Sequence, residues 1–180
     1  LKKAREMGFK LKIHADEIVS LGGSELAGEL KATSADHLLH ASDAGIKAMA
    51  ENGVVSTLLP TTAFCLREPF ARAREMIDAG CAVALATDFN PGSGFTFSVP
   101  LMLGLAVIYM HMTAEEAITA LTLNGAAAVG RADRIGSIEV GKQADLTILQ
   151  YPSYKFLPYH TGVNIVEKVI KKGELVHTAS

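Results

Sequence analysis

Three short stretches hold the residue types that do chemistry. His14-Ala15-Asp16-Glu17 sets an imidazole beside two carboxylates, His37 follows Asp36, and Asp88 opens Asp88-Phe89-Asn90-Pro91-Gly92-Ser93. Imidazole and carboxylate are the ligands a Zn or Fe site uses, and a water held there has its pKa lowered from about 15.7 to roughly 7. His14 and Asp88 would be two such ligands, arriving from different strands. Glu17, one turn further into its loop, is placed to move protons, and His37 to hydrogen-bond an attacking water or a developing oxyanion. Each has a structural alternative. Asp88 and Asn90 also suit an ordinary turn, and of His37 and His40, three apart, one is structural; His37, next to Asp36, is read as the functional one.

Such residues act together only if the chain brings them together. Residues 81–86 form an apolar run after Gly80, the pattern of a buried strand, which ends at Asp88 and a Pro/Gly/Ser turn. The same unit returns along the chain. A helix at 4–7 closes on Gly8 before a strand at 9–14; a helix at 42–52, capped by Ser42, closes on Gly53 before a strand at 54–60; a helix at 69–79 closes on Gly80. A helix at 26–31 and a strand at 33–40 lie between the first two units. Four strands ending at His14, His37, Pro60 and Asp88 and alternating with helices predict a parallel sheet. The carboxyl ends of such strands are where (β/α) barrels keep their chemistry.

Further on, Pro100 to Met110 is apolar nearly all round, which predicts burial in a core or at a subunit contact. Thr113-Ala114-Glu115-Glu116 is a capping box that opens a helix through 121–128. Beyond Gly130, residues 136–149 predict two short strands around a turn, and 167–176 a hairpin turning at Lys172-Gly173. The fold class is α/β: the C-terminal half of a (β/α)8 TIM-type barrel over residues 1–130, plus a small β-sandwich accessory segment over 131–180. A whole barrel takes about 250 residues, so the chain is expected to be the C-terminal half of something longer.

Composition narrows the partners. With 17 Lys and Arg against 19 Asp and Glu, a net charge of -2 and no basic cluster, the expected partner is not a nucleic acid. The longest apolar run, 101–110, is too short to span a bilayer, so no membrane is expected. Cys65 and Cys81 lack metal or redox spacing and read as reduced core residues, and no export signal is visible, which predicts a cytoplasmic protein.

His14-Ala15-Asp16-Glu17, Ser34-Ala35-Asp36-His37-Leu38, Ala86-Thr87-Asp88-Phe89-Asn90-Pro91-Gly92-Ser93 and Pro158-Tyr159-His160-Thr161-Gly162-Val163-Asn164 together resemble the imidazolonepropionase family of histidine degradation. Residues 136–149 resemble the accessory β-hairpin of the wider amidohydrolase superfamily. The resemblance covers nearly the whole chain but only the C-terminal part of the family's length. It implies a hydrolase with one divalent or trivalent metal ion, Zn or Fe, that opens the small-molecule substrate 4-imidazolone-5-propanoate to N-formimidoyl-L-glutamate. A homodimer is expected at full length.

By matching positions, His14 and Asp88 resemble the metal ligands, with Asp88 also taking the proton of the attacking water. Glu17 resembles the residue that contacts the ring and shuttles a proton, His37 the histidine that steadies the water or the tetrahedral intermediate, and Asn90, Gly92 and Ser93 the loop that holds substrate or product. Three departures stand out. Thr61 replaces a Gly after Leu59-Pro60, Phe95-Thr96-Phe97 replaces a more polar stretch that usually carries a Glu, and the family's His-x-His metal pair is not in this sequence. The alternatives are another cyclic amidase or aminohydrolase of the superfamily, or a non-catalytic remnant. Because a catalytic site of this type uses at least three protein ligands, the 180-residue chain alone should bind Zn weakly and turn nothing over. Efficient hydrolysis by the isolated chain would contradict that expectation.

Overall fold

The computed structural model describes residues 1–179. Four short strands, β1 (Lys12–Ala15), β2 (Ser34–His37), β3 (Val55–Leu58) and β4 (Val83–Leu85), pair in sequence order, all parallel. Parallel neighbours need a crossover, and helices supply it. These are α1 (Lys2–Glu6) before β1, α2 (Gly23–Glu29), α3 (Asp43–Glu51), then α4 (Pro60–Leu66) and α5 (Ala73–Asp78) together. Gly8, Gly53 and Gly80 each adopt positive φ, at 85°, 65° and 93°, so the three helix-to-strand joints are the left-handed caps that the sequence indicates.

Side chains alternate across a strand, and the two faces of this sheet differ sharply. Ile13, Ala15, Ala35 and Leu58 are buried in the main core with the helices. The opposite face carries Lys12 and His14 on β1, in register with Ser34 and Asp36 on β2, and Asp36 is in turn opposite Thr57 on β3. Two close contacts hold the helices in place. Ser42 accepts from the Gly45 N–H at 3.0 Å and so caps α3. The Cβ that an alanine would add at Gly28 lies 2.6 Å from Ala48 Cβ, so α2 and α3 touch almost backbone to backbone.

Downstream come α6 (Val99–Tyr109), α7 (Ala114–Leu121) and α8 (Leu123–Ala128). On α6, residues Met102 to Ala106 are buried, whereas Ile108 and Tyr109 are exposed; Tyr109 stacks on Phe70 with ring centroids 4.9 Å apart. The Thr113 capping box forms as expected, and its Glu116 carboxylate also takes a two-pronged ion pair from Arg74 of α5 at 2.8 and 2.9 Å. The expected single helix through 121–128 is two: the chain turns at Thr122 (φ -105°, ψ -85°), and the restart lets Asn124 donate to the Val83 carbonyl at 2.8 Å.

The remaining strands form one antiparallel sheet in the order β5 (Leu146–Leu149), β6 (Val166–Lys171), β7 (Glu174–Thr178), with the short helix α9 (Phe156–Tyr159) between β5 and β6. The hairpin turns at Lys172 and Gly173, both at positive φ. Two expectations need correction. Residues 136–149 contain one strand rather than two, because 137–140 finds no pairing partner among the described residues and leaves Ile138 and Val140 exposed. Cys65 is exposed, not a core residue, because α4 buries only its first turn, Pro60 to Ala63; Cys81 is buried, and burial pushes its thiol up.

The glycine contact between α2 and α3 generates a test. Gly28→Ala must displace the Ala48 backbone, which lies 2.7 to 2.8 Å from the new carbon, and should cost about 1–3 kcal/mol in a urea titration. An unchanged midpoint would show that the two helices have room to separate.

Candidate metal centre

At the carboxyl ends of β1 and β2, the chain brings together His14, Glu17 and His37. One donor atom from each lies within 4.8 Å of the others. His14 Nε2 is 2.7 Å from Glu17 Oε2, His37 Nδ1 is 3.4 Å from Glu17 Oε1, and the two imidazole rings are 4.2 Å apart between centroids. His37 does not reach this position by strand alternation. Its register opposite Ala15 would send it under the helices, but its φ of 76° turns the backbone, and Leu38 follows at 64°. Left-handed non-glycine residues cost about 1–3 kcal/mol each and persist only where the surroundings hold them. Here Leu38 N–H donates to Ala15 O at 3.0 Å, and the His40 N–H to Asp16 O at 2.9 Å.

His37 is 5% exposed, and its Nδ1, although 3.4 Å from Glu17 Oε1, makes no well-formed hydrogen bond. A buried polar atom left unpaired costs about 1–3 kcal/mol, so an orphan of this kind marks a place for a ligand. Burial pushes the His37 imidazole below its ordinary value, against the opposing pull of the Glu17 carboxylate. A neutral ring keeps a lone pair for a metal or a substrate hydrogen. Two imidazoles and a carboxylate, with an unsatisfied buried nitrogen among them, fit Zn or Fe.

Asp88 lies outside this trio but lines the same cavity, of about 350 Å³, together with His14 and His37. It sits beyond β4 at φ 51°, and its Oδ2 accepts from Thr62 Oγ1 at 2.8 Å. Thr61, the residue standing where a Gly was expected, is fully buried and donates to the Thr87 carbonyl at 2.6 Å. Asn90 is engaged inside its own loop: Oδ1 accepts from the N–H groups of Gly92 and Ser93 at 2.8 and 2.9 Å, while Nδ2 donates to Asp88 O and Ser93 Oγ. The side chain of Asn90 thus organises the turn, and the Gly92 and Ser93 N–H groups are occupied by it. Phe95 and Phe97 gather on Phe89, with centroids 4.8 and 5.6 Å away, as an exposed aromatic cluster beside that turn.

The amidohydrolase family model matches residues 1–176. The chain belongs to the amidohydrolase family. It is similar to an imidazolonepropionase of Clostridium tetani, with 73% identity over 180 residues, which is 100% of this chain and 43% of that protein. An imidazolonepropionase of Parabacteroides distasonis is 69% identical, with 97% of this chain and 42% of that protein covered. The chain therefore spans less than half the length of these relatives. Among solved structures, a zinc-bound adenosine deaminase from Xanthomonas campestris superimposes with a TM-score of 0.81 at 25% identity, over 97% of this chain and 46% of that one. This amidohydrolase chain thus has an α/β architecture with a parallel sheet, shared with structural neighbours that carry zinc. No helix among the described residues is long and apolar enough to cross a membrane.

Four contributors had no site role legible in the sequence. Thr61 and Thr62 gave no motif, because a hydroxyl becomes informative only once its acceptor is known. Lys12 donates to Asp36 Oδ1 at 3.2 Å and to Ser34 Oγ, forming a polar layer one residue pair below His14; only the parallel register reveals it. Asp16 is the fourth. It is buried at φ 48°, and its carboxylate accepts from Leu21 N, Gly23 N, Ser24 N and Ser24 Oγ at 2.7 to 3.1 Å. Burial alone would raise its carboxyl, and those hydrogen bonds outweigh it and leave the pKa below the usual range. Asp16→Asn replaces an acceptor by a donor facing N–H groups and should lower stability by about 1–3 kcal/mol. Unchanged thermal unfolding of that variant would contradict a structural role for the carboxylate.

Proposed function

We propose that this chain is part of a cytoplasmic, homodimeric metal hydrolase that opens 4-imidazolone-5-propanoate to N-formimidoyl-L-glutamate in histidine degradation. Residues 1–130 would be the C-terminal half of a (β/α)8 barrel, and 131–180 an accessory β segment contributing one layer of a small sandwich. The observation that carries the hydrolase reading is the convergence of His14, Glu17 and His37 at strand ends, with His14 and His37 lining the cavity that Asp88 also lines. The choice of substrate draws on the 73% identity to an imidazolonepropionase.

In this reading His14 and Asp88 hold the ion. A bound Zn or Fe ion supplies a nucleophile at neutral pH by lowering the pKa of water from about 15.7 to roughly 7. Asp88 accepts the proton of the attacking water, and Glu17 contacts the ring and carries a proton to the departing nitrogen. His37, buried beside Glu17, would make one hydrogen bond to steady the attacking water or the oxygen of the tetrahedral intermediate formed at the carbonyl carbon. The loop of Asn90, Gly92 and Ser93 borders the substrate, with its own hydrogen bonds fixing its shape.

Hydrolysis of 4-imidazolone-5-propanoate by the full-length protein, measured beside adenosine and a hydantoin, tests this. Asp88→Asn should reduce kcat by about 10²–10⁴-fold, the scale of a lost general base, and reduce Zn content as well. Near-normal turnover by Asp88→Asn would refute the assignment of Asp88. Turnover of adenosine without the imidazolone would favour an aminohydrolase, the reading closer to the Xanthomonas neighbour.

A further inference from the structure

We infer that Thr61 and Thr62 are positioning residues for the Asp88 carboxylate, an inference that rests on the reading of Asp88 as metal ligand and proton acceptor. Both lie in the first turn of α4, directly after Pro60, and both side chains are buried, at 0% and 1% exposure. Their hydroxyls reach from the end of β3 to the end of β4. Thr62 Oγ1 donates to Asp88 Oδ2 at 2.8 Å, and Thr61 Oγ1 donates to the carbonyl of Thr87 at 2.6 Å. On the other side, Asn90 Nδ2 donates to the carbonyl of Asp88 at 2.8 Å. The peptides before and after Asp88 and one of its carboxylate oxygens are therefore each held by a different side chain.

This clamp has a chemical consequence. A hydroxyl has a single hydrogen to donate, and Thr62 spends it on Oδ2. The terminal torsion of an aspartate is otherwise broad and roughly two-fold, so this one bond selects its rotation. Oδ1 is left without a protein partner among the described residues, available to a ligand. The backbone also needs support, because Asp88 sits at φ 51°. The turn itself closes on the same hydroxyl: a Cβ built on Gly94 would lie 3.5 Å from Thr62 Oγ1. Thr61, which replaces the glycine expected after Leu59-Pro60, is thus part of the clamp.

The test uses the full-length protein and four variants, Thr62→Val, Thr62→Ser, Thr61→Val and Asp88→Asn. Each is measured for kcat and KM on 4-imidazolone-5-propanoate, for Zn affinity by competition with a chromogenic chelator, and for Tm. Valine keeps the shape of threonine without the donor. Thr62→Val should lose about 10–100-fold in kcat and in Zn affinity, the usual effect of removing a partner that orients a ligand, with KM little changed. Thr62→Ser, which retains the hydroxyl, should recover most of both, and Thr61→Val should show a smaller loss in the same direction. Normal kcat and Zn affinity in Thr62→Val would overturn the inference. So would equal damage in Thr62→Ser and Thr62→Val accompanied by equal loss of Tm, since that is the behaviour of a packing residue. Impairment of Asp88→Asn with an intact Thr62→Val would confine the failure to Thr62. Normal turnover and Zn affinity in Asp88→Asn would remove the reading of Asp88 itself, and this inference with it.

Discussion

The register of the parallel sheet is the constraint on which everything else depends. Lys12, Ile13, His14 and Ala15 lie opposite Ser34, Ala35, Asp36 and His37, and β3 and β4 continue the same in-line order. A slip of one residue would exchange the faces of a strand, sending His14 into the helix side and Ile13 toward the cavity. The helix-side residues forbid that slip. Ala15 and Ala35 are almost wholly buried there, leaving no room for an imidazole. The apolar half of each strand therefore determines where its polar half points.

Strand geometry alone does not bring the candidate site's side chains together, and the strand ends correct this at a cost in backbone strain. Asp16, His37, Leu38 and Asp88 all take positive φ without being glycine. Specific hydrogen bonds hold this end, beside the core packing of Leu38. Asp16 gathers the N–H groups of the β1–α2 loop, the Leu38 and His40 amides return to β1, and Asp88 is gripped through Thr61, Thr62 and Asn90. Four of the eight non-glycine residues at positive φ among the described residues lie at this end of the sheet, and backbone strain of this kind clusters at functional sites.

Much of this was legible in the sequence because it depends on local pattern. Glycine-closed helices, apolar runs and the capping box at Thr113 each have a signature a few residues long, and together they give the order of elements and the parallel sheet. The nearness of His14 to Glu17 also follows from short spacing. The rest depends on partners distant in the chain. His37 reaches His14 only through an unusual φ, Thr62 matters only through a residue 26 positions away, and Asn90 carries a turn whose internal bonds consume the groups that looked available for substrate. The missing strand near 137–140 fails for the same reason in reverse: its alternation is strand-like, but a strand needs a neighbour to pair with.

The central claim is that the ends of β1 and β4 bring two ligands, His14 and Asp88, to one ion. The most direct measurement is a zinc-edge anomalous diffraction map of the full-length protein grown with Zn. The expected result is a single anomalous peak at roughly 2.0–2.2 Å from a His14 ring nitrogen and an Asp88 carboxylate oxygen. A peak held by Glu17 and His37 with Asp88 beyond coordinating distance, or one bound away from these strand ends, would contradict it.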